Sequence, residues 1–112
     1  MKDDAVYLSH ICDALVRIEA YTKSGRKAFL ADTMVQDAVI RNLEVIGEAV
    51  RKLSSEFKAR HPEIPWRSVT ALRNVLIHEY FGVDLKIVWK VVQRRLPTLK
   101  RQMAILLRKK RR

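Results

Sequence analysis

Residues 73–84, RNVLIHEYFGVD, place an arginine, an asparagine, a histidine and a tyrosine within eight positions: Arg73, Asn74, His78 and Tyr80. An arginine guanidinium is a fixed fork of donors that suits a phosphodiester and the extra charge of its transition state. A histidine takes and gives protons near neutral pH. Together the two fit RNA cleavage in which the ribose 2′-hydroxyl attacks phosphorus, one imidazole removes its proton, and the same imidazole or a second one protonates the leaving oxygen. Tyr80 suits stacking on a base or hydrogen bonding to a phosphate. The plainer alternative is that these are surface and packing residues at a helix end.

Helical geometry constrains the site. Asn74 and His78, four apart, share one face, and Arg73 and Tyr80, seven apart, share another. Arg73 and His78 are separated by about 140 degrees around the axis. A site using both requires the helix to widen or end near His78, which Gly82 permits, or two copies of the helix to face each other across a cleft. A domain of 112 residues gains stability from a partner subunit, which favours the second arrangement.

Other chemistries lack their residues. There is no glycine-rich phosphate loop, no dinucleotide fingerprint and no nucleophile elbow. The three histidines and one cysteine lack metal-ligand spacing, so no metal and no cofactor are expected. Glu44 and Glu48 form a carboxylate pair, but on a helix face shared with Asp37 and Arg41, where a solvated ion-pair ladder is the simple reading.

One domain is expected, spanning 1–107, with 108–112 as a basic tail. Residues 85–112 hold 11 of the 23 basic side chains and none of the 12 acidic ones, so the net charge of +11 belongs to the last quarter of the chain. That distribution is a local footprint for a polyanion, with Lys100, Arg101, Arg108, Lys109 and Lys110 as candidate RNA contacts. A solubilising tail, or one that meets an acidic protein, is the competing reading. No apolar run is long enough to span a membrane, the start is not signal-like, and the single Cys12 cannot form an internal disulfide, all of which fit a cytoplasmic protein.

The elements that must position the cluster are all helical. Tyr7, Ile11, Ala14, Ile18 and Tyr21, widened by Leu8, Cys12 and Leu15, predict a helix from Asp3 or Asp4 to Tyr21. A turn over 22–26 and a short helical turn over 27–31 follow. Asp32 caps a long helix to about Leu53, whose apolar row is Val35, Val39, Ile46, Val50 and Leu53. Asn42 falls on that row and needs a partner, with the third main helix as a candidate source. Gly47 in mid-helix costs about 1 kcal/mol of propensity, which a close helix crossing would explain. Ser54 or Ser55 caps a short helix to Arg60, and His61–Pro65 is an irregular connector. The third main helix runs from Trp66 to Ile77–Tyr80, with Val69, Leu72, Val75 and Leu76 as its buried side. Asp84 caps the fourth, on which Leu85, Val88, Trp89, Val92 and Leu96 face the core, with a kink or restart at Pro97 and fraying beyond Arg108. The expected fold is all-α, an antiparallel bundle of four to five helices whose last helix is kinked near Pro97.

The spacing Arg73-Asn74, three residues, His78, one residue, Tyr80 resembles the Arg-x4-His-x-Tyr motif of HEPN domains of the HepT toxin type. Three flanking stretches resemble the same family: DAVIRNLEVIGEAVRKLS at 37–54, HPEIPWR at 61–67 and HEYFGVDLKIVW at 78–89. The resemblance extends to about residue 100. It implies a helical bundle that forms a homodimer, with both motifs lining one cleft, and a metal-independent endoribonuclease that is toxic to its own cell in a type VII toxin–antitoxin pair. It implies Arg73 and His78 as catalytic residues and Asn74 as a supporting one. It further implies a neighbouring minimal nucleotidyltransferase antitoxin of the MntA type, which transfers AMP to Tyr80 and so inactivates the enzyme. A bulky anionic adduct there would fill the cleft and repel RNA phosphates. Glu79 departs from the pattern, putting a carboxylate where a small or uncharged residue is usual, and the basic terminus exceeds what the family requires.

Two other readings compete with the nuclease. One is a non-catalytic helical partner of a nucleotidyltransferase that helps to bind nucleotide or substrate. The other is an RNA-binding bundle driven by the C-terminal charge alone.

Overall fold

A computed structural model describes residues 3–77 and 84–111, the side chains of 74–77 and 111 excepted. Seven helices occur among the described residues: α1 (Asp4–Tyr21), α2 (Arg26–Ala31), α3 (Thr33–Lys52), α4 (Ser55–Arg60), α5 (Trp66–Ile77), α6 (Leu85–Arg94) and α7 (Leu96–Arg111). The all-α expectation holds; among the described residues there are seven helices where four to five were expected, and of the kink or restart expected near Pro97 the structure shows the restart. α6 ends at Arg94, Arg95 is its C-cap, and α7 starts afresh at Leu96 with Pro97 in its first turn, where a missing N–H costs no hydrogen bond.

Caps account for the boundaries. Asp3, Asp32, Ser54 and Asp84 each accept a hydrogen bond from a first-turn amide of the helix that follows, satisfying donors with no partner inside the helix. The Asp4 carboxylate also accepts from the Ser54 amide at 2.8 Å and from its hydroxyl at 2.7 Å. The start of α1 is thus tied to the residues just after α3, and the two helices run antiparallel.

α3 is the central element, packed against α1, α5 and α2, while α7 lies on α1 and α6. Its buried face of Val39, Leu43, Ile46 and Val50 meets Leu8, Ile11, Leu15 and Ile18 from α1, with Val69 and Leu72 of α5 and Met103 and Leu106 of α7 in the same core. Phe29 of α2 packs on Trp89 of α6 with ring centroids 5.4 Å apart. Tyr21 is a correction to the apolar stripe of α1: at the last residue of the helix it is exposed. Asn42 is buried as expected, but its amide donates to the Ala38 carbonyl of its own helix at 2.8 Å, so it needs nothing from α5. α7 stays helical to Arg111 beyond the expected fraying point, and Lys110 Nζ lies 5.7 Å from the centroid of the Phe57 ring, a cation–π contact that holds the last turn.

The tightest constraint is at Gly47. A Cβ built there would lie 2.7 Å from the Arg73 Cβ, closer than carbon atoms tolerate. The glycine therefore lets α5 approach α3 at the position of Arg73, as its mid-helix placement implied. Gly47→Ala gains about 1 kcal/mol of helix propensity, but overpacking at a rigid Cβ–Cβ contact costs about 1–3 kcal/mol. The net expectation is a lower urea midpoint for Gly47→Ala; an unchanged or raised midpoint would show that the crossing does not require glycine.

Candidate active site

α1, α3 and α5 enclose a cleft of about 380 Å³ lined by Tyr7, His10, Arg41, Glu44, Val45, Glu48, Ala49, Lys52 and Arg73. Most of the lining comes from α3, with Tyr7 and His10 from α1 and Arg73 from α5. Arg41, Glu44, Glu48 and Lys52 recur every three or four residues, so one helix lays charges of both signs along the cleft, two carboxylates between two cations.

Arg73 is brought to this cleft by α5 and is about one-third exposed. Its Nε lies 3.4 Å from Glu48 Oε2, an ion pair longer than a good hydrogen bond, and the two terminal nitrogens lie outside that pair. Glu48 is also bound by Arg51 Nη2 at 2.9 Å and by Lys52 Nζ at 3.8 Å. The ladder expected on α3 therefore exists, with Arg41 and Glu44 3.9 Å apart, but its last carboxylate turns from the ladder towards the next helix. That cross-helix pair could not be read from spacing along α3.

The hydrogen bond donated by Arg51 is the main reason that the Glu48 carboxyl is held below its ordinary range; partial burial opposes it, and the charges of Arg51, Arg73 and Lys52 lower it further. With a depressed native pKa, the ion pairs of Glu48 contribute fully above the ordinary carboxylate value and are lost as pH falls through the lowered one.

His10 is the residue that motif reading missed. It stands exposed on α1, 63 positions before Arg73, yet lines the same cleft, with its ring edge-to-face to Tyr7 at a centroid distance of 6.2 Å. Of the other predicted site residues, Asn74 lies on α5 immediately after Arg73. His78 and Tyr80, with Glu79 and Gly82, lie outside the described residues.

The five basic residues assigned to RNA contact do not gather in one place. Lys100 Nζ grips both oxygens of Glu19 at 2.8 and 2.9 Å on the α1 side, and Arg101 donates to the Thr98 hydroxyl at 3.2 Å within α7. Arg108 is exposed on the last turns of α7. Lys109 and Lys110 meet Arg60 and His61 around an open cleft of about 540 Å³ between α7 and α4. Among the described residues no group of three or more His, Cys, Asp or Glu side chains could hold a metal ion, and no helix is long and apolar enough to cross a membrane.

Residues 11–106 match the family described as Ribonuclease HepT-like. The chain belongs to that family. It is 47% identical over 95 residues to "Probable ribonuclease HepT" of Thermococcus cleftensis, covering 84% of this chain and 86% of that one. It is 38% identical over 112 residues to a candidate RNase of Caldanaerobacter subterraneus subsp. tengcongensis, covering 97% of this chain and 98% of that one. A Methanocaldococcus jannaschii protein named as a gamma-glutamylcyclotransferase and candidate RNase is 43% identical over 102 residues; this HepT-like chain covers 46% of its length. No solved structure matches. The family membership agrees with the resemblance read from residues 37–54, 61–67 and 78–89.

The ranking of charges around Glu48 is testable by carbon-detected NMR titration. The Glu48 midpoint should lie below the ordinary value of about 4.3, and should rise more in Arg51→Ala than in Arg73→Ala. Equal midpoints in wild type and Arg51→Ala would refute the assignment of Arg51 as the principal partner.

Proposed function

We propose that this HepT-like protein is a metal-independent endoribonuclease toxin of a type VII toxin–antitoxin pair. The observation that carries the reading is the placement of the motif arginine: Arg73 lines a charged cleft, with its Nε 3.4 Å from Glu48 Oε2 and its Cβ against the glycine crossing. An ion pair at Nε leaves the terminal nitrogens to meet the non-bridging oxygens of a phosphodiester, where they favour the extra charge of the transition state. His78 acts as the proton carrier. The 2′-hydroxyl loses its proton to an imidazole and forms a bond to phosphorus, the phosphorus–5′-oxygen bond breaks, and the departing oxygen receives a proton from the same or a second imidazole. Asn74 supports the site. The 140-degree separation of Arg73 and His78 on a regular helix favours a homodimer in which the two motifs line one cleft.

The partner in this reading is a nucleotidyltransferase antitoxin of the MntA type. It transfers AMP to the Tyr80 hydroxyl, two residues beyond His78, and the added phosphate and adenosine exclude RNA. Arg108, Lys109 and Lys110, at the end of α7, supply general attraction for the RNA backbone. Lys100 and Arg101 contribute less than their charge suggests, because one is committed to Glu19 and the other to Thr98.

Purified protein should cleave RNA in the presence of EDTA, and Arg73→Ala and His78→Ala should each lose at least about a hundredfold in rate. Equal cleavage by wild type and His78→Ala would overturn the assignment. Co-expression with the neighbouring nucleotidyltransferase should add mass in steps of one AMP, and these additions should vanish in Tyr80→Phe. Unmodified protein from cells with active antitoxin would instead mean inhibition by binding alone.

A further inference from the structure

α4 and α7 meet around an open cleft of about 540 Å³ lined by Phe57, Arg60, His61, Leu106, Lys109 and Lys110. Its three exposed cations come from two helices far apart in the sequence, and no carboxylate lines it. Glu56 and Glu63, the acids nearest to Arg60 along the chain, are outside the lining, and Glu63 meets His61 Nδ1 at 3.5 Å. Among the described residues none of Arg60, Lys109 and Lys110 lies within ion-pair distance of a carboxylate. The two apolar residues of the lining, Phe57 and Leu106, are buried. The Phe57 ring is covered by Lys110, whose Nζ lies 5.7 Å from its centroid, and by the His61 ring at 4.7 Å.

From this cluster we infer that the cleft between α4 and α7 is a discrete site for phosphates of the RNA strand, with Arg60 joining Lys109 and Lys110 as its contacts. A polynucleotide backbone asks for cations and little else. An acidic protein segment asks for more, because protein contacts are anchored by apolar and aromatic groups that become buried on binding, and here Phe57 and Leu106 are covered already. The inference rests on the reading of the chain as a ribonuclease. To the general attraction of the α7 end it adds a residue from α4 and a fixed place. That place is tied to the motif helix: Trp66 Nε1, at the start of α5, donates to the Lys58 and His61 carbonyls at 3.1 and 2.9 Å. Arg73 lies seven residues further along α5, roughly 10 Å of helix axis. The site holds substrate and takes no part in the chemistry.

The test uses full-length protein and a fluorescein-labelled, fully 2′-deoxy oligonucleotide, which cannot be cleaved through a 2′-hydroxyl but presents the same phosphates. In anisotropy titrations at low salt Arg60→Ala should raise Kd about five- to tenfold, and should lower the slope of log affinity against log salt by about one. Arg60→Lys keeps the charge and should bind close to the wild type, which makes the loss one of charge and not of fold. Arg108→Ala removes a nearby exposed cation outside the lining and should cost clearly less. In steady-state RNA cleavage Arg60→Ala should raise KM at unchanged kcat. Wild-type affinity in Arg60→Ala would overturn the inference, and so would equal losses in Arg60→Ala and Arg108→Ala, which mean diffuse attraction only. Poly-L-glutamate binding that depends on Arg60, where oligonucleotide binding does not, would assign the cleft to an acidic protein instead. The ribonuclease reading fails separately, through undiminished cleavage by Arg73→Ala, and the anisotropy order can still be scored in that event because it requires no cleavage.

Discussion

The architecture depends on one close approach, that of α5 to α3 at Gly47. Any side chain at 47 would strike the Arg73 Cβ, so the absence of one decides how deeply α5 settles. The next residue on α3 is Glu48, and its carboxylate reaches the same arginine. Two neighbouring residues thus act on Arg73 in different ways: one admits its backbone, the other turns its guanidinium. Neither contact is strong alone, since the ion pair is partly exposed and surface pairs contribute little to stability. Their joint effect is on geometry. An arginine with several rotatable bonds is held at two points along its length, which lowers the ordering cost of meeting a phosphate.

Charge is divided between two regions with different tasks. The cleft between α1, α3 and α5 mixes signs, with Glu44 and Glu48 among Arg41, Lys52 and Arg73. Such a site orients an anion but does not attract one from afar. The end of α7 does the opposite, presenting Lys109 and Lys110 beside Arg60 with no carboxylate in the lining of that cleft. Long-range attraction by a single-sign patch and short-range orientation by a mixed one are complementary requirements for a small nucleic-acid enzyme. The pairing of Lys100 with Glu19 fits this division, because it removes one cation from the patch and uses it to fasten α7 to α1.

Local rules made much of the fold legible. Asp32, Ser54 and Asp84 are read as caps because a side-chain oxygen one residue before a helix meets a need present in every helix. Gly47 is legible because glycine in mid-helix is costly unless something occupies its missing side chain. Failures occurred where two local solutions compete. Asn42 lies on an apolar row and seems to require another helix, but its own Ala38 carbonyl is within reach and wins. At Pro97 spacing left both a kink and a restart open, and the proline's tolerance in a first helical turn decides for the restart, with the new helix beginning one residue earlier.

The candidate site was legible along the sequence and opaque across the bundle. Arg73, Asn74, His78 and Tyr80 could be singled out because a motif is a one-dimensional object. Glu48 could not, because along its own helix it has Arg51 and Lys52 to satisfy it, and the ladder explanation is complete without Arg73. The structure shows that both are true at once: a carboxylate has two oxygens, and here Oε1 serves the ladder while Oε2 serves the next helix. The Arg51 hydrogen bond also keeps Glu48 ionised, so the local pair maintains the charge that the cross-helix pair uses. Protonation of Glu48 would remove both contacts together. The fixing of Arg73 is therefore coupled to an ion pair with which it shares only a carboxylate, a dependence that spacing along either helix cannot reveal.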